Sequence, residues 1–435
     1  MLPEYLNQTD REDVPQIVGY SLLWNDEFNG DTLEEENWTR EVCDPFCINN
    51  ELQAYTAKDE NIFIKDGTLV LKAIRTTDEE GNLTYTSGKV TSQSKQDFLY
   101  GKVVVSAKVP EGQGLWPAIW MMPQDPETYG LWPECGEIDV MEILGNQTNI
   151  AYQTLNYGEP HCQQQAMKML DGGSFSDSFH EYSVEWEPGE IRFYIDGERI
   201  QTMNDWFTAD AGGDEEMYPA PFDQAFFVQM NLAVGGDWPG NPDETTDFSK
   251  AEFIIDYVRV YRKAEYDTNV TKPDKVFRQP TADGNLIYNG DFAETTDLSG
   301  QSDWFFRLYN GGMGFATVVD RTIVITSEKE GTENYSIQLV QPNLPLIHGQ
   351  KYRITFDAKA AEARNMTICV SAPMNGWICY LPENLLKLNT EWTTFTYEFE
   401  MTGKDDNNAL LEFNMGQKGS IAEISLRNVR LVMIE

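Results

Sequence analysis

The sequence predicts an all-β fold, a large β-sandwich followed by a smaller one. Two features carry that expectation: short runs alternating apolar and polar residues, and turn residues recurring between the runs. No apolar run nears 18 residues, so no membrane-spanning helix is expected. With 435 residues, 41% of them hydrophobic, the chain can fill two or three cores. Residues 1–18 are polar and are expected to be poorly ordered. Residues 20–28 read as the first strand, 49–55 as the next, and Asp66-Gly67 turns into an alternating strand ending at Ala73. Residues 87–92 and 100–109 continue the series, and the run 191–195 ends in Asp196-Gly197, a hairpin signal. These place the first domain at 19–262. Residues 263–284 lose periodicity and read as a linker. A second β unit, 285–435, opens at 285–292, continues through 349–360 and 391–395, and closes at 424–431.

Lys and Arg total 32 against 71 Asp and Glu, a formal net charge of −39. That argues against nucleic acid or an anionic membrane as partner and suits a neutral polysaccharide. Eleven Trp and 20 Tyr supply rings on which sugars stack, although sandwiches favour aromatics in any case. Of six cysteines, Cys43 and Cys47 bracket Asp-Pro-Phe, and Cys369 and Cys379 flank an expected hairpin. Each pair reads equally as a disulfide or as free buried thiols. The three histidines, His161, His180 and His348, lack zinc-ligand spacing with the cysteines. The polar N-terminal stretch shows no signal peptide, so the chain reads as a mature form behind a start methionine or as a protein kept inside the cell.

The stretch 132–142 concentrates the chemistry. Glu134, Glu137, Asp139 and Glu142 fall within nine residues, among Ile138, Val140, Met141 and Ile143. On a strand Glu137 and Asp139 share a face, while Glu142 falls on the other. One extra residue, a β-bulge at Val140-Met141, returns Glu142 to the first face. Two carboxyls with separated pKa values are what glycosidic cleavage needs, one ionised to attack and one protonated to donate. A solvated acidic edge strand accounts for the spacing equally well.

The surrounding blocks separate the two readings. The stretch resembles the catalytic signature of glycoside hydrolase family 16, in its laminarinase form with the extra residue. Blocks 114–123, 179–186, 231–240 and 256–261 follow the family's order around it, covering roughly 20–262. The resemblance implies a concanavalin-like jelly roll whose concave sheet forms the cleft, with Glu137 as nucleophile, Glu142 as general acid/base, and Asp139 tuning the nucleophile. It implies donor subsites lined by Trp116, Trp120 and Trp132, with Asn50, Glu51, Asn231 and Trp238 bordering the cleft. Where the family often carries His-Tyr-Gly this chain reads Asn156-Tyr157-Gly158, so any proton chemistry of that histidine is lost while hydrogen bonding remains.

No cofactor is expected for catalysis, but the resemblance implies a structural Ca²⁺ held by Glu27, the Gly67 carbonyl and Asp256. Residues 285–435 resemble a family 4 carbohydrate-binding module, with Trp304, Tyr309, Trp377 and Tyr380 as candidate glycan contacts and Trp392 in its core. Asp291 matches a residue near a calcium site of such modules, but Arg427 stands where an Asp is usual. The expected protein is a secreted, monomeric, retaining endo-β-1,3-glucanase whose partner is β-glucan. The alternatives are a mixed-linkage β-1,3-1,4-glucanase, a galactan hydrolase, or a glucan-recognition protein without activity.

Overall fold

The computed structural model describes residues 14–170, 172–209, 215–294, 298 and 303–434. Among these, regular structure is β-strand apart from two three-residue 3₁₀ turns, Pro126–Thr128 and Asn334–Ser336. The chain divides into two compact units, Met1–Pro273 and Asp274–Glu435.

In the first unit a seven-stranded sheet runs in the order Cys162–Met169, Ile150–Tyr157, Glu137–Glu142, Leu115–Pro123, Phe226–Val234, Lys89–Thr91, Thr39–Arg40. An eight-stranded sheet runs Glu198–Met203, Glu190–Ile195, His180–Glu187, Gly101–Lys108, Glu252–Arg262, Thr68–Lys72, Ile62–Lys65, with Ser21–Asp26 pairing residues 258–262 of Glu252–Arg262, beyond the stretch 252–255 that pairs Thr68–Lys72. Alternation explains how they pack. Ile119, Met121, Ile138, Val140, Val228 and Met230 of one sheet share a core with Val103, Val105, Val184, Phe193, Val258 and Val260 of the other. Both predicted turns are hairpins, Asp66-Gly67 at φ 53° and 75° and Asp196-Gly197 at φ 49° and 76°. Both residues of each turn occupy the left-handed region, which Asp and Gly tolerate best.

Several expectations need correction. Only Gln53–Tyr55 of the predicted strand 49–55 is strand, paired in parallel with Leu83–Ser87, because Asn49 and Asn50 turn at φ 47° and 55°. Of the terminal segment 1–18, residues 1–13 lie outside the described residues. Beyond them Val14 is buried beside Val104 and Tyr261, and the Tyr261 hydroxyl donates to the Pro15 carbonyl. The stretch read as a linker is fastened in its first half: the Lys272 ammonium bonds the Trp206 carbonyl at 2.8 Å and Asp205 at 2.9 Å.

The second unit pairs two five-stranded sheets, Phe305–Leu308, Ile337–Leu346, Asp406–Asn414, Arg364–Ala372, Ile378–Leu388 and Gly312–Val319, Thr322–Glu330, Ile424–Ile434, Lys351–Ala360, Thr393–Glu400. The opening segment 285–292 of this unit is a series of turns that bury Leu286, Ile287 and Phe292. Trp304 is no glycan platform, since its indole is fully buried against Phe292 and Phe413 and donates to the Asn289 carbonyl. Tyr380 also packs in the core, with only its hydroxyl used, donating to Asp406 at 2.8 Å. Trp392, expected inside, is half-buried at the surface beneath Arg427 and Lys359, 4.0 and 5.1 Å from its ring. Asp291 pairs with Arg321 at 3.4 Å, and Arg427 with Asp357 at 3.4 Å. Cys43 and Cys47 form a disulfide, whereas Cys369 and Cys379 are free thiols.

Candidate active site

Strand register brings the acids together. Against Leu115–Pro123, Ala118 faces Glu142 and Trp120 faces Asp139; against Ile150–Tyr157, Glu137 faces Asn156, Asp139 faces Thr154 and Glu142 faces Tyr152. Ala118 and Trp120 are two apart and share a face, so Asp139 and Glu142, three apart, share it too. The register therefore shifts between Asp139 and Glu142, with Val140 and Met141 set against Gln153. This is the bulge inferred from the spacing. Both bulge residues point inward and are fully buried. The carbonyl of Val140, turned out of the ladder, accepts from the buried Gln153 side chain at 2.9 Å. The same amide donates to the Tyr194 carbonyl of the other sheet at 3.2 Å.

The neighbours on this face carry the polar groups. Asn156 donates to Glu137 Oε1 at 3.0 Å and to Asp139 Oδ2 at 2.9 Å. Burial raises the Glu137 carboxyl to about 7, opposed by hydrogen bonds from Asp139, Asn156 and Trp132 and by the Lys89 charge. Glu142 is raised to about 8, first by burial and then by the charge of Glu137, with the Trp116 indole the opposing influence. Asp139 is also pushed well above the ordinary carboxyl range, by burial first and then by the charges of Glu137 and Glu142. The hydrogen bond between Asp139 and Glu137 lowers Glu137 and raises Asp139, which favours the proton on Asp139 and the charge on Glu137. The arrangement thus ionises Glu137 before Glu142.

Aromatic and amide groups frame the acids. The Trp120 indole donates to Asn231 Oδ1 at 2.7 Å, and Asn231 donates to the Tyr55 hydroxyl at 2.9 Å. The Tyr55 hydroxyl in turn donates to Glu51 at 3.2 Å. Glu51 is buried, its carboxyl pushed up by desolvation and also bonded by Gln53 at 2.7 Å. Trp116 meets Trp238 edge-on at 5.5 Å, and Trp238 lies 5.0 Å from the Tyr152 ring. Asn50, at the rim, bonds Asp237 rather than facing the acids. The adjacent Gly235 and Gly236 sit at φ 72° and 111°, and a Cβ on Gly236 would lie 3.1 Å from the Asn49 carbonyl. Only glycine allows the rim to close this tightly. Trp132 is half exposed and tilts over His161 at 4.9 Å.

Three participants were missed in the sequence. Lys89 pairs with Asn231 across the sheet, and its ammonium lies 4.9 Å over Trp120. Cross-strand alternation would have placed it on this face. Gln153 and His161 carry no local signal, because each matters only through a partner on another element.

Around residues 256–257 of Glu252–Arg262 the candidate calcium ligands converge, since Asp26 pairs with Val258 and Leu69 with Ile255. The Glu27 carboxylate, however, is held by Arg259 at 2.7 and 2.8 Å. Glu27 is left to offer its carbonyl, together with the Gly67 carbonyl and the Asp256 carboxylate, which accepts from Ser106 at 3.3 Å. Hard oxygen donors of this kind still fit Ca²⁺. In the second unit the candidates that reach the surface are Trp377, 38% exposed in a turn at φ 56°, and Tyr309, half-buried beside Tyr335.

Comparison with known proteins gives two family matches, Glycosyl hydrolases family 16 over residues 49–257 and a carbohydrate binding domain over 284–420. Glucan endo-1,3-beta-glucosidase A1 of Niallia circulans is 35% identical over 283 residues, 59% of this chain but 41% of that protein. Beta-glucanase of Rhodothermus marinus is 36% identical over 266 residues, 59% of this chain and 90% of the relative. Among solved structures, the laminarinase catalytic domain from Thermotoga petrophila RKU-1 is similar at 34% identity and a TM-score of 0.49, covering 57% of this chain and 99% of its own.

Proposed function

The chain belongs to glycosyl hydrolases family 16, and on that footing we propose that it is a retaining endo-β-1,3-glucanase of laminarin-type β-glucans. Glu137, the acid that ionises first, attacks the anomeric carbon as Glu142 gives its proton to the departing glycosidic oxygen. The glycosyl ester on Glu137 then meets water. Glu142, now a carboxylate, takes a proton from that water as its oxygen bonds the anomeric carbon and Glu137 leaves. Asp139 and Asn156 act on Glu137 by donating hydrogen bonds that favour its charged form. Trp116, Trp120, Trp132 and Trp238 offer ring faces to glucose units, and Glu51 and Asn231 offer polar groups to their hydroxyls.

One observation carries the reading: the bulge at Val140-Met141 sets Glu137, Asp139 and Glu142 on one face of the sheet, with Glu137 the more acidic glutamate. Measuring reducing ends from laminarin, lichenan and agarose side by side tests the substrate, and laminarin should be cleaved fastest. Glu137→Ala should lose several orders of magnitude in kcat, with azide restoring turnover of an activated β-glucoside as the α-azide. Wild-type turnover by that variant would remove Glu137 from its role.

The second unit would hold the enzyme on insoluble glucan through Trp377 and Tyr309. A Ca²⁺ at Glu27, Gly67 and Asp256 would tie the first and last strands of the first unit. A polymeric substrate and the Cys43–Cys47 disulfide favour work outside the cell.

A further inference from the structure

Asn156 stands where related sequences often carry histidine, but an imidazole returns five residues later. The turn between Ile150–Tyr157 and Cys162–Met169 brings His161 Nε2 to 3.0 Å from Asn156 Oδ1. An amide oxygen only accepts, so this contact requires a proton on Nε2. The two amide hydrogens of Asn156 are already committed, one to Glu137 and one to Asp139. All three polar positions of a side chain that is 6% exposed are therefore used. Turning the amide over would set its oxygen against two carboxyls and its NH₂ against the imidazole N–H. On its other side the His161 ring lies 4.9 Å from Trp132, an indole half exposed beside the acids.

We propose that His161 is a positioning residue with two separable jobs: its Nε2–H locks the Asn156 amide onto Glu137 and Asp139, and its ring backs Trp132 as a sugar platform. The proposal rests on the reading of Glu137 as nucleophile. The first job acts on chemistry, because Asn156 favours the ionised form of Glu137. The charged or titrating groups around Glu137 are Asp139 and Glu142 on its own strand, the Cys135 thiol just before that strand, and Lys89 from Lys89–Thr91. Those bearing on His161 are Glu159 in its own turn and, behind Asn156, Glu137 and Asp139. Burial lowers the imidazole, so the neutral Nε2–H tautomer serves at neutral pH. The second job acts on binding: the Trp132 indole is tethered at one point by its hydrogen bond to Glu137, and the His161 ring packed against it fixes the tilt of the face a sugar would meet.

Two substitutions in the full chain separate the jobs. His161→Gln keeps a donor and loses the ring; His161→Phe keeps the ring and loses the donor. With soluble laminari-oligosaccharides, His161→Phe should hold KM within about twofold, lose about tenfold in kcat, and move the acid limb of the pH–rate profile up by about half a unit to one unit. His161→Gln should keep kcat and the acid limb and raise KM about three- to tenfold. Trp132→Ala should raise KM similarly and add little on top of His161→Gln. An unmoved acid limb in His161→Phe, or equal losses of kcat and KM in both variants, overturns the proposal. Glu137→Ala serves as the control: full activity there defeats the nucleophile assignment itself, whereas an inactive Glu137→Ala with unseparated His161 variants defeats only this inference.

Discussion

Replacing Glu142 by glutamine should stabilise the first unit while abolishing its chemistry, and the gain should depend on pH in a defined way. In the folded chain burial, and then the Glu137 charge, push the Glu142 carboxyl up to about 8 from the ordinary 4.5. Below pH 4.5 both the folded and the unfolded chain carry the proton, and no penalty exists. Between 4.5 and 8 the unfolded chain ionises while the folded one keeps its proton, so wild-type stability falls as pH rises. Above 8 the penalty is complete and constant. The 3.5-unit difference between those values corresponds, at about 1.4 kcal/mol per unit, to about 5 kcal/mol at most. Glu137 and Asp139 titrate together with Glu142, so part of that cost belongs to the trio, and about 2–5 kcal/mol should be recovered by Glu142→Gln. Thermal melts of wild type and Glu142→Gln across pH 4 to 9 should coincide at pH 4 and separate by about 5–10 °C at pH 8, with the variant higher. Laminarin hydrolysis should fall by orders of magnitude in the same variant. A melting difference that does not change with pH, or a variant that melts lower at pH 8, would refute the picture of a carboxyl held protonated by burial and a neighbouring charge.

Gln153→Leu should cost about 1–3 kcal/mol by denaturant titration and lower kcat, because it removes both buried hydrogen bonds that Gln153 gives to the Val140 and Tyr194 carbonyls and slackens the bulge; unchanged stability and turnover would mean that the bulge is held by other contacts. A chelator in excess should lower the melting temperature of the first unit more than it lowers turnover at moderate temperature. An unchanged melting curve, with metal analysis showing no calcium before or after treatment, removes the site at Glu27, Gly67 and Asp256. Trp377→Ala, or removal of residues 274–435, should reduce activity on an insoluble β-1,3-glucan far more than on soluble oligomers, since tethering raises local concentration only at a surface. Equal losses on both substrates would make the second unit a brace rather than a binder.

The parts legible in the sequence are those decided by the strand itself. Side chains on a strand alternate by covalent geometry, so bringing Glu142 onto the face of Glu137 and Asp139 required one extra residue; the surrounding blocks favoured that reading, and the bulge lies where the parity placed it. The two Asp-Gly turns were readable for the same local reason, since few other residue pairs tolerate two consecutive positive φ angles. Burial was less legible, because alternation says which residues share a face but not what covers that face. Trp304 and Trp392 show the difference: the first is sealed between Phe292 and Phe413, while the second lies at the surface beneath two cations.

By itself, then, the sequence determined the all-β class, the two-unit order of the chain and the face on which three acids stand. Tertiary structure alone decided that burial and both glutamates favour a proton on Asp139, that Arg259 claims the Glu27 carboxylate, and that His161 reaches back to Asn156. Those outcomes depend on desolvation and on hydrogen-bond partners brought from distant segments. Both are properties of the packed molecule, set by which surfaces exclude water, and no short window of residues contains them.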